Sequence, residues 1–327
     1  MNILFLCDDY EDYLADSVLH GLRQLDSLHV VDYPRKDCLY RGGRVCKDAP
    51  AFGVRGGGFS LYGLLEEPTA GLDRSQIWQR LESGWFDVVI LSNVWRQWGL
   101  LLQWRSLFQR QPLILLDGDD DERLYPLSSR RLRQFGLGTG ISSLLRSNNT
   151  HYFKRELTPV SFRWRPRFRL HPVSFSIPAS CIDQSLTNKT QLFPRHIVDP
   201  DVAQCFGGSS GYAFTDEDAY RADLRSSRFS ITTKRAGWDC LRHYELAASG
   251  TVLCFRDLSR KPDTCAPFGL RHGVNCLSYE SVDDLRLQIE ALTPELEQSL
   301  QHQSLAWARS KSTHKIANKI LQTAGLI

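Results

Sequence analysis

Lys234 and Arg235 stand at the exit of the β-prone run Arg228–Thr233, and Gly237, Asp239, Arg242 and Glu245 follow within eleven positions of Lys234. A basic, glycine-containing turn between a strand and a helix suits a diphosphate. The cations oppose its charge, and the first N–H groups of the helix point at it. Such cations also stabilise a departing diphosphate, whose negative charge grows as its bond breaks. Glu245 can accept hydrogen bonds from two hydroxyls of a diol, or pair with Arg242 three positions earlier on the same helix. Asp239 is placed to cap the helix, where it would occupy the N–H groups and repel phosphate.

These residues need a βαβ unit to position them. The sequence predicts a strand over Arg228–Thr233 and a helix from Asp239 through Glu245 to Ser249. Gly250 then supplies a left-handed stop, and a buried strand resumes over Thr251–Phe255. The first half of the chain reads as further α/β structure. Strands are expected over Asn2–Cys7, His29–Tyr33, Phe86–Leu91 and Pro112–Leu116. Helices are expected over Asp12–Leu25, around Ile77–Leu81 and over the Trp-rich Gln97–Phe108. Mostly apolar strands alternating with helices imply a parallel sheet covered on both faces.

Further carboxylates fall at strand ends. Asp117, Asp119, Asp120 and Asp121 follow PLILL and offer a general base, acceptor contacts, a D-x-D metal pair or a plain solvated turn. Asp8, Asp9 and Tyr10 leave the first strand towards the same edge and suit acceptor hydroxyls or a solvated turn equally. The glycine- and arginine-rich stretch Leu39–Gly63, with Arg55 and Gly57, is a long irregular loop beyond the second strand, where open α/β sheets bind ligands. It lacks the Gly-Lys-Ser/Thr ending of a P-loop. His20, His151 and His243 have no ligand partners at metal-site spacing, so no zinc site is assigned.

Arg242, Tyr244, Glu245, Ala248 and Gly250 form the pattern R-x-Y/F-E-x-x-A-x-G. It resembles the donor-binding unit of glycosyltransferases with two facing Rossmann-like domains, the GT-B architecture, and within it the family 1-type bacterial enzymes. The resemblance implies that Glu245 binds ribose hydroxyls and that Lys234 and Arg235 hold the diphosphate. It also suggests sugar hydroxyls for Asp239, although the offset from Glu245 is shorter than usual. It implies a nucleotide-sugar donor as substrate, protein cations rather than a metal at the diphosphate, and no required cofactor. Asp119 and Asp120 then fall on the acceptor side. A C-terminal helix crossing back to the first domain is expected as well. The acceptor is a glycan, a lipid-linked glycan or another molecule. A nucleotide-sugar epimerase of the same architecture and a non-catalytic glycan- or nucleic-acid-binding protein are the alternatives.

Composition narrows the class. The 327 residues suffice for two domains, expected at 1–184 and 185–327. A formal net charge of +3 disfavours nucleic acid as the principal partner. The nine cysteines contain no C-x-x-C pair, which fits reduced, cytoplasmic thiols. No leader or membrane-spanning run is visible, so a cytoplasmic protein is expected, with the membrane surface open to it. In Tyr152–Arg169 aromatics alternate with Lys154, Arg155, Arg163, Arg165, Arg167 and Arg169. The run suits a polyanion, an anionic lipid surface or an interdomain connector with paired arginines.

Overall fold

The computed structural model describes residues 1–8, 10–43, 59–68, 71–124, 146–211 and 214–327. Asp9, Arg55 and Gly57 lie outside the described residues. Among those described, β1 (Asn2–Leu6), β2 (His29–Tyr33), β3 (Val88–Leu91), β4 (Leu113–Asp117), β5 (Thr150–Lys154) and β6 (Leu170–Pro172) form a parallel sheet in the order β2-β1-β3-β4-β5-β6. Alternate residues feed two apolar layers. Ile3, Phe5, Val88, Ile90, Ile114 and Phe153 face one, while Leu4, Leu6, Val89, Leu91, Leu115 and Tyr152 face the other. Burial on both faces is why these strands read as nearly continuous apolar runs.

Helix α1 (Tyr13–Arg23) follows β1 and is capped by Asp12, whose Oδ1 accepts the Ala15 N–H at 3.1 Å. Helices α2 (Ile77–Glu82), α3 (Trp98–Gln103) and α4 (Arg105–Phe108) belong to the other layer. The single helix expected over Gln97–Phe108 is broken at Trp104, which leaves helical dihedrals and stacks on Trp78 with ring centroids 4.4 Å apart. β5 and β6, joined through the short helix α5 (Pro159–Phe162), emerge from the arginine-aromatic run, which sequence reasoning had not resolved into strands.

The second sheet is parallel, in the order β7-β8-β9: β7 (Phe229–Thr232), β8 (Val252–Arg256) and β9 (Cys276–Tyr279). Its helices are α6 (Pro200–Phe206), α7 (Glu217–Ser226), α8 (Leu241–Ala248) and α9 (Val282–Glu290). Gly250 ends α8 with φ of +65°, the left-handed stop expected there. Two helices close the chain, α10 (Pro294–Ser310) and α11 (Thr313–Thr323). The chain turns between them because the Lys311 carbonyl accepts the Ile177 N–H at 3.1 Å, and the Thr313 N–H donates to the Ile177 carbonyl at 2.9 Å.

α11 crosses back and packs on α1 of the first sheet, burying Ile316, Ala317, Ile320 and Leu321 against the layer that holds Val18 and Leu22. Tyr244 of α8 and Trp307 of α10 belong to that same layer and stack at 5.1 Å. One apolar core therefore runs from the first sheet to the helices α8, α10 and α11 of the second half, while the strands of the second sheet pack in clusters of their own. No described helix is long and apolar enough to cross a membrane.

Gly21 sets the closeness of the α1–α11 contact, since a Cβ there would lie 2.1 Å from the Thr313 carbonyl oxygen. Gly21→Ala is expected to destabilise the fold by about 1–3 kcal/mol, read as a lowered urea midpoint. An unchanged midpoint would mean that α11 is not held against α1.

Candidate functional site

The carboxyl ends of β1, β3, β4 and β5 face the carboxyl end of β7 across a cleft of about 730 Å³. Strand order reverses between β1 and β3, the position where open α/β sheets form a binding crevice. The first sheet contributes Glu11, Asp12, Asn93, Arg96, Asp119, Asp120 and Arg155. The second contributes Thr232, Thr233, Arg235, Gly237, Asp239 and Arg242, with His196 from the segment before α6.

The turn after β7 is held from the opposite sheet. Glu156, just beyond β5, accepts the Trp238 N–H at 2.9 Å and the Asp239 N–H at 3.2 Å on Oε1. The same oxygen takes an Arg155 N–H at 3.0 Å. Arg155 is itself buried. It donates to the Asp239 carbonyl at 2.5 Å and the Gly118 carbonyl at 3.1 Å, and pairs with Asp120. Gly237 has no room for a side chain: a Cβ would stand 2.5 Å from Glu156 Oε1 and 2.7 Å from Asp120 Oδ1. Within the second half, His243 braces the turn through Thr232 Oγ1 at 2.7 Å and the Trp238 carbonyl at 3.0 Å. Burial pushes this imidazole down to about 3, so it stays neutral.

Asp239 does not cap α8. The helix starts at Leu241 with Cys240 as its N-cap residue, and no side chain bonds the cap. The Asp239 carboxylate turns inward, accepting the Phe175 N–H at 2.8 Å and the Tyr244 hydroxyl at 2.8 Å. The expected conflict between this carboxylate and a phosphate at the helix N-terminus is thereby removed.

Lys234 and Arg235 line different cavities. Arg235 lines the cleft, exposed, with no carboxylate partner among the described residues. Lys234 lies beside a separate cavity of about 290 Å³ with Trp238, Arg256 and Arg260, its ammonium 5.3 Å from the Trp238 ring centroid. The main chain turns just beyond them, where the Arg235 N–H bonds the Gly237 carbonyl at 3.0 Å.

Arg242 joins Arg235 in the cleft. It contacts His196 Nε2 rather than Glu245. His196 Nδ1 lies 2.6 Å from the Gly211 carbonyl, which assigns the proton to Nδ1 and leaves Nε2 to accept from the guanidinium. Burial, then Arg242, push this imidazole down to about 4, consistent with the neutral form.

Glu245 is buried and does not line the cleft. Ser60 Oγ donates to one of its oxygens at 2.6 Å and the Tyr220 hydroxyl to the other at 3.0 Å. Ser60, with φ of +71°, also takes a hydrogen bond from Arg221 at 3.0 Å. Glu245 thus ties a segment of the first half to α7 and α8 of the second.

The Asp117–Asp121 run divides in the same way. Asp117 is fully buried and satisfied by the Tyr152 hydroxyl at 2.6 Å, Lys154 at 3.0 Å and the Trp95 indole N–H at 3.0 Å, which removes it from acceptor or metal chemistry in the cleft. Asp121 pairs with Arg123, and Asp120 with Arg155. Asp119 is exposed in the cleft without an ion-pair partner among the described residues. Asp8 pairs with Arg96 at 2.6 Å, and Tyr10 is 70% exposed near the same guanidinium, so Glu11 and Asp12 line the cleft in their place. Among the described residues, no group of three potential ligand side chains is arranged to hold a metal.

No family model matches the chain, and no curated protein matches it. Solved structures do match across its whole length. HepE from Anabaena, solved with UDP, is 13% identical with a TM-score of 0.55, covering 100% of both chains. A glycosyltransferase from Rickettsia africae is 8% identical with a TM-score of 0.53, over 99% of this chain and 97% of its own. Sucrose-phosphate synthase from Thermosynechococcus elongatus is 10% identical with a TM-score of 0.51, over 98% of each chain. The fold is GT-B-like. Identities this low establish the architecture and leave the activity to be argued from the site.

The buried Asp239 gives stability a specific pH dependence. Burial raises its carboxyl from the ordinary 3.8 to about 6, against the opposing pull of Arg155, the Phe175 N–H and the Tyr244 hydroxyl. Between these values the folded state binds more protons than the unfolded one, so this contribution to stability falls as pH rises from about 4 to about 6 and is then level. Asp239→Asn is expected to flatten that part of the profile in urea unfolding. An unaltered slope would contradict the assignment.

Proposed function

We propose that this protein is a glycosyltransferase that moves a sugar from a nucleotide-sugar donor to an acceptor, with the donor on the second half and the acceptor on the first. Residues 1–184 and 185–327 are the corresponding domains in this reading. The observation that carries it is the pairing of Arg235 and Arg242 beside the uncapped N-terminus of α8, in a cleft whose opposite wall carries Glu11 and Asp119 beside the ion-paired Asp12 and Asp120. Backbone N–H groups and two guanidiniums make a diphosphate site, and across from it Asp119, whose Oδ1 takes the Asp121 N–H at 2.9 Å, supplies a carboxylate with no ion-pair partner among the described residues. HepE, which shares the fold, was solved with UDP and with UDP-glucose, which supports a nucleotide-sugar donor and makes UDP the first probe.

In this mechanism the acceptor oxygen bonds to the anomeric carbon as the bond to the diphosphate breaks. The electron pair departs with the diphosphate, and Arg235 and Arg242 meet its growing charge. His196 keeps Arg242 aimed into the cleft. In an inverting transfer, Asp119 accepts the proton of the acceptor hydroxyl. Asp120 is less suited because Arg155 already holds it. Gly237 lets the turn lie flat against Glu156. Lys234, on the far side of the turn, adds long-range charge rather than direct contact. A ribose diol at Glu245 would have to displace the Ser60 and Tyr220 hydroxyls, which offer the carboxylate the same chemistry.

Arg235→Ala is expected to lower turnover of a nucleotide sugar by on the order of 100-fold, or about 2.7 kcal/mol, with a smaller change in donor KM. Arg235→Lys recovers part, since an ammonium cannot make a two-pronged phosphate contact. Lys234→Ala is expected to change turnover much less. Nucleoside diphosphate release, followed with and without candidate acceptors, reads all three. Wild-type turnover in Arg235→Ala would remove the turn from the mechanism, and sugar conversion without diphosphate release would identify an epimerase instead.

A further inference from the structure

The arginine-aromatic run splits into two parts with different surroundings. Lys154 and Arg155 are buried and paired with Asp117, Asp120 and Glu156. Arg163, Arg165, Arg167 and Arg169, on the crossover from β5 to β6, are all exposed, and none has a carboxylate partner among the described residues. The connector reading therefore accounts for the first two cations and leaves four. Arg163 and Arg167 lie over the Trp164 ring at 5.6 and 5.4 Å, and Arg165 over Phe162 at 5.4 Å. Trp164 and Phe162 are half-buried on the same apolar layer as the half-buried Trp95, Trp98 and Trp104.

We propose that this face docks the protein on the surface of an anionic lipid bilayer. The reading goes beyond the transferase proposal and does not depend on it. Three features carry it. The charge is local: the whole chain has a formal net charge of +3, so four arginines within seven residues, none with a carboxylate partner among the described residues, make a directional rather than a general attraction. Arginines laid along aromatic rings place apolar stems and charged heads at the depths where a bilayer offers acyl boundary and headgroup. Half-buried tryptophans suit the same interfacial layer. A single-stranded nucleic acid would need ring faces on which to stack its bases, and here the rings already carry guanidinium groups. The crossover also begins at the carboxyl end of β5, next to cleft-lining Arg155, so docking on this side would bring the cleft close to the surface.

The test is co-sedimentation of the full chain with vesicles of phosphatidylcholine alone and with added phosphatidylglycerol. Wild type should bind only the anionic vesicles and be released by salt. Arg163→Ser/Arg165→Ser/Arg167→Ser should weaken partitioning by on the order of 100-fold, with an unchanged melting temperature. The corresponding triple lysine variant should retain most of it. A control variant, Arg271→Ser/Arg286→Ser/Lys319→Ser, removes the same charge from exposed positions elsewhere and should bind as wild type. Equal loss in the control would overturn the proposal, as would undiminished binding of the serine triple. Tight binding of a single-stranded oligonucleotide or of soluble dextran sulfate by wild type, without vesicle binding, would also overturn it and assign the face to a soluble polyanion.

Discussion

The buried carboxylate of Glu156 is the point on which the cleft depends. One oxygen receives three hydrogens, from Arg155 and from the main chain of Trp238 and Asp239, and thereby joins the end of β5 to the turn after β7. A buried ion pair is costly unless every polar atom is answered. Arg155 meets that condition through the Gly118 and Asp239 carbonyls, Asp120 and Glu156 itself. Beneath it, Asp117 and Lys154 form a second fully buried pair on neighbouring strands. Their value to the protein is geometric: they fix the height and tilt of the turn across the cleft, and Gly237 is the only residue type that fits between them.

Several properties follow from that placement. Because the main chain at Asp239 is committed to Glu156 and Arg155, its side chain turns into the core and α8 starts without a carboxylate cap. The helix N-terminus is left open to the cleft beside Arg235 and Arg242. The segment between β7 and the clamp places Lys234 and Arg235 at different cavities. The core shared by α1, α8, α10 and α11 supports the same relationship from behind, so polar and apolar contacts agree on one arrangement of the two sheets.

Much of the architecture was legible in the sequence because strand and helix periods are local signals. β1, β2, β3, β4, α1 and the βαβ unit around Glu245 lie close to where the apolar patterns place them, and Gly250 adopts the expected left-handed conformation. Pairing across the cleft was not legible. Arg155 meets the main chain of a residue 84 positions away, and Ser60 meets Glu245 from 185 positions away. No local pattern encodes such contacts. For that reason Glu156 and His196 escaped notice, Asp239 read as a cap or a sugar ligand, and Glu245 read as open to a ligand or to Arg242. The only signal at Arg155 was its place in a basic run, where the paired and unpaired arginines look alike.

Hydrogen exchange of the turn amides tests the central claim most directly. With Glu156 intact, the Trp238 and Asp239 amides should exchange slowly. In Glu156→Ala, which removes the acceptor oxygen, the Trp238 and Asp239 amides should exchange markedly faster, while amides of β7 and β8 remain as in wild type. Unchanged exchange of the turn in Glu156→Ala would show that the cleft is held by some other contact and would contradict the account.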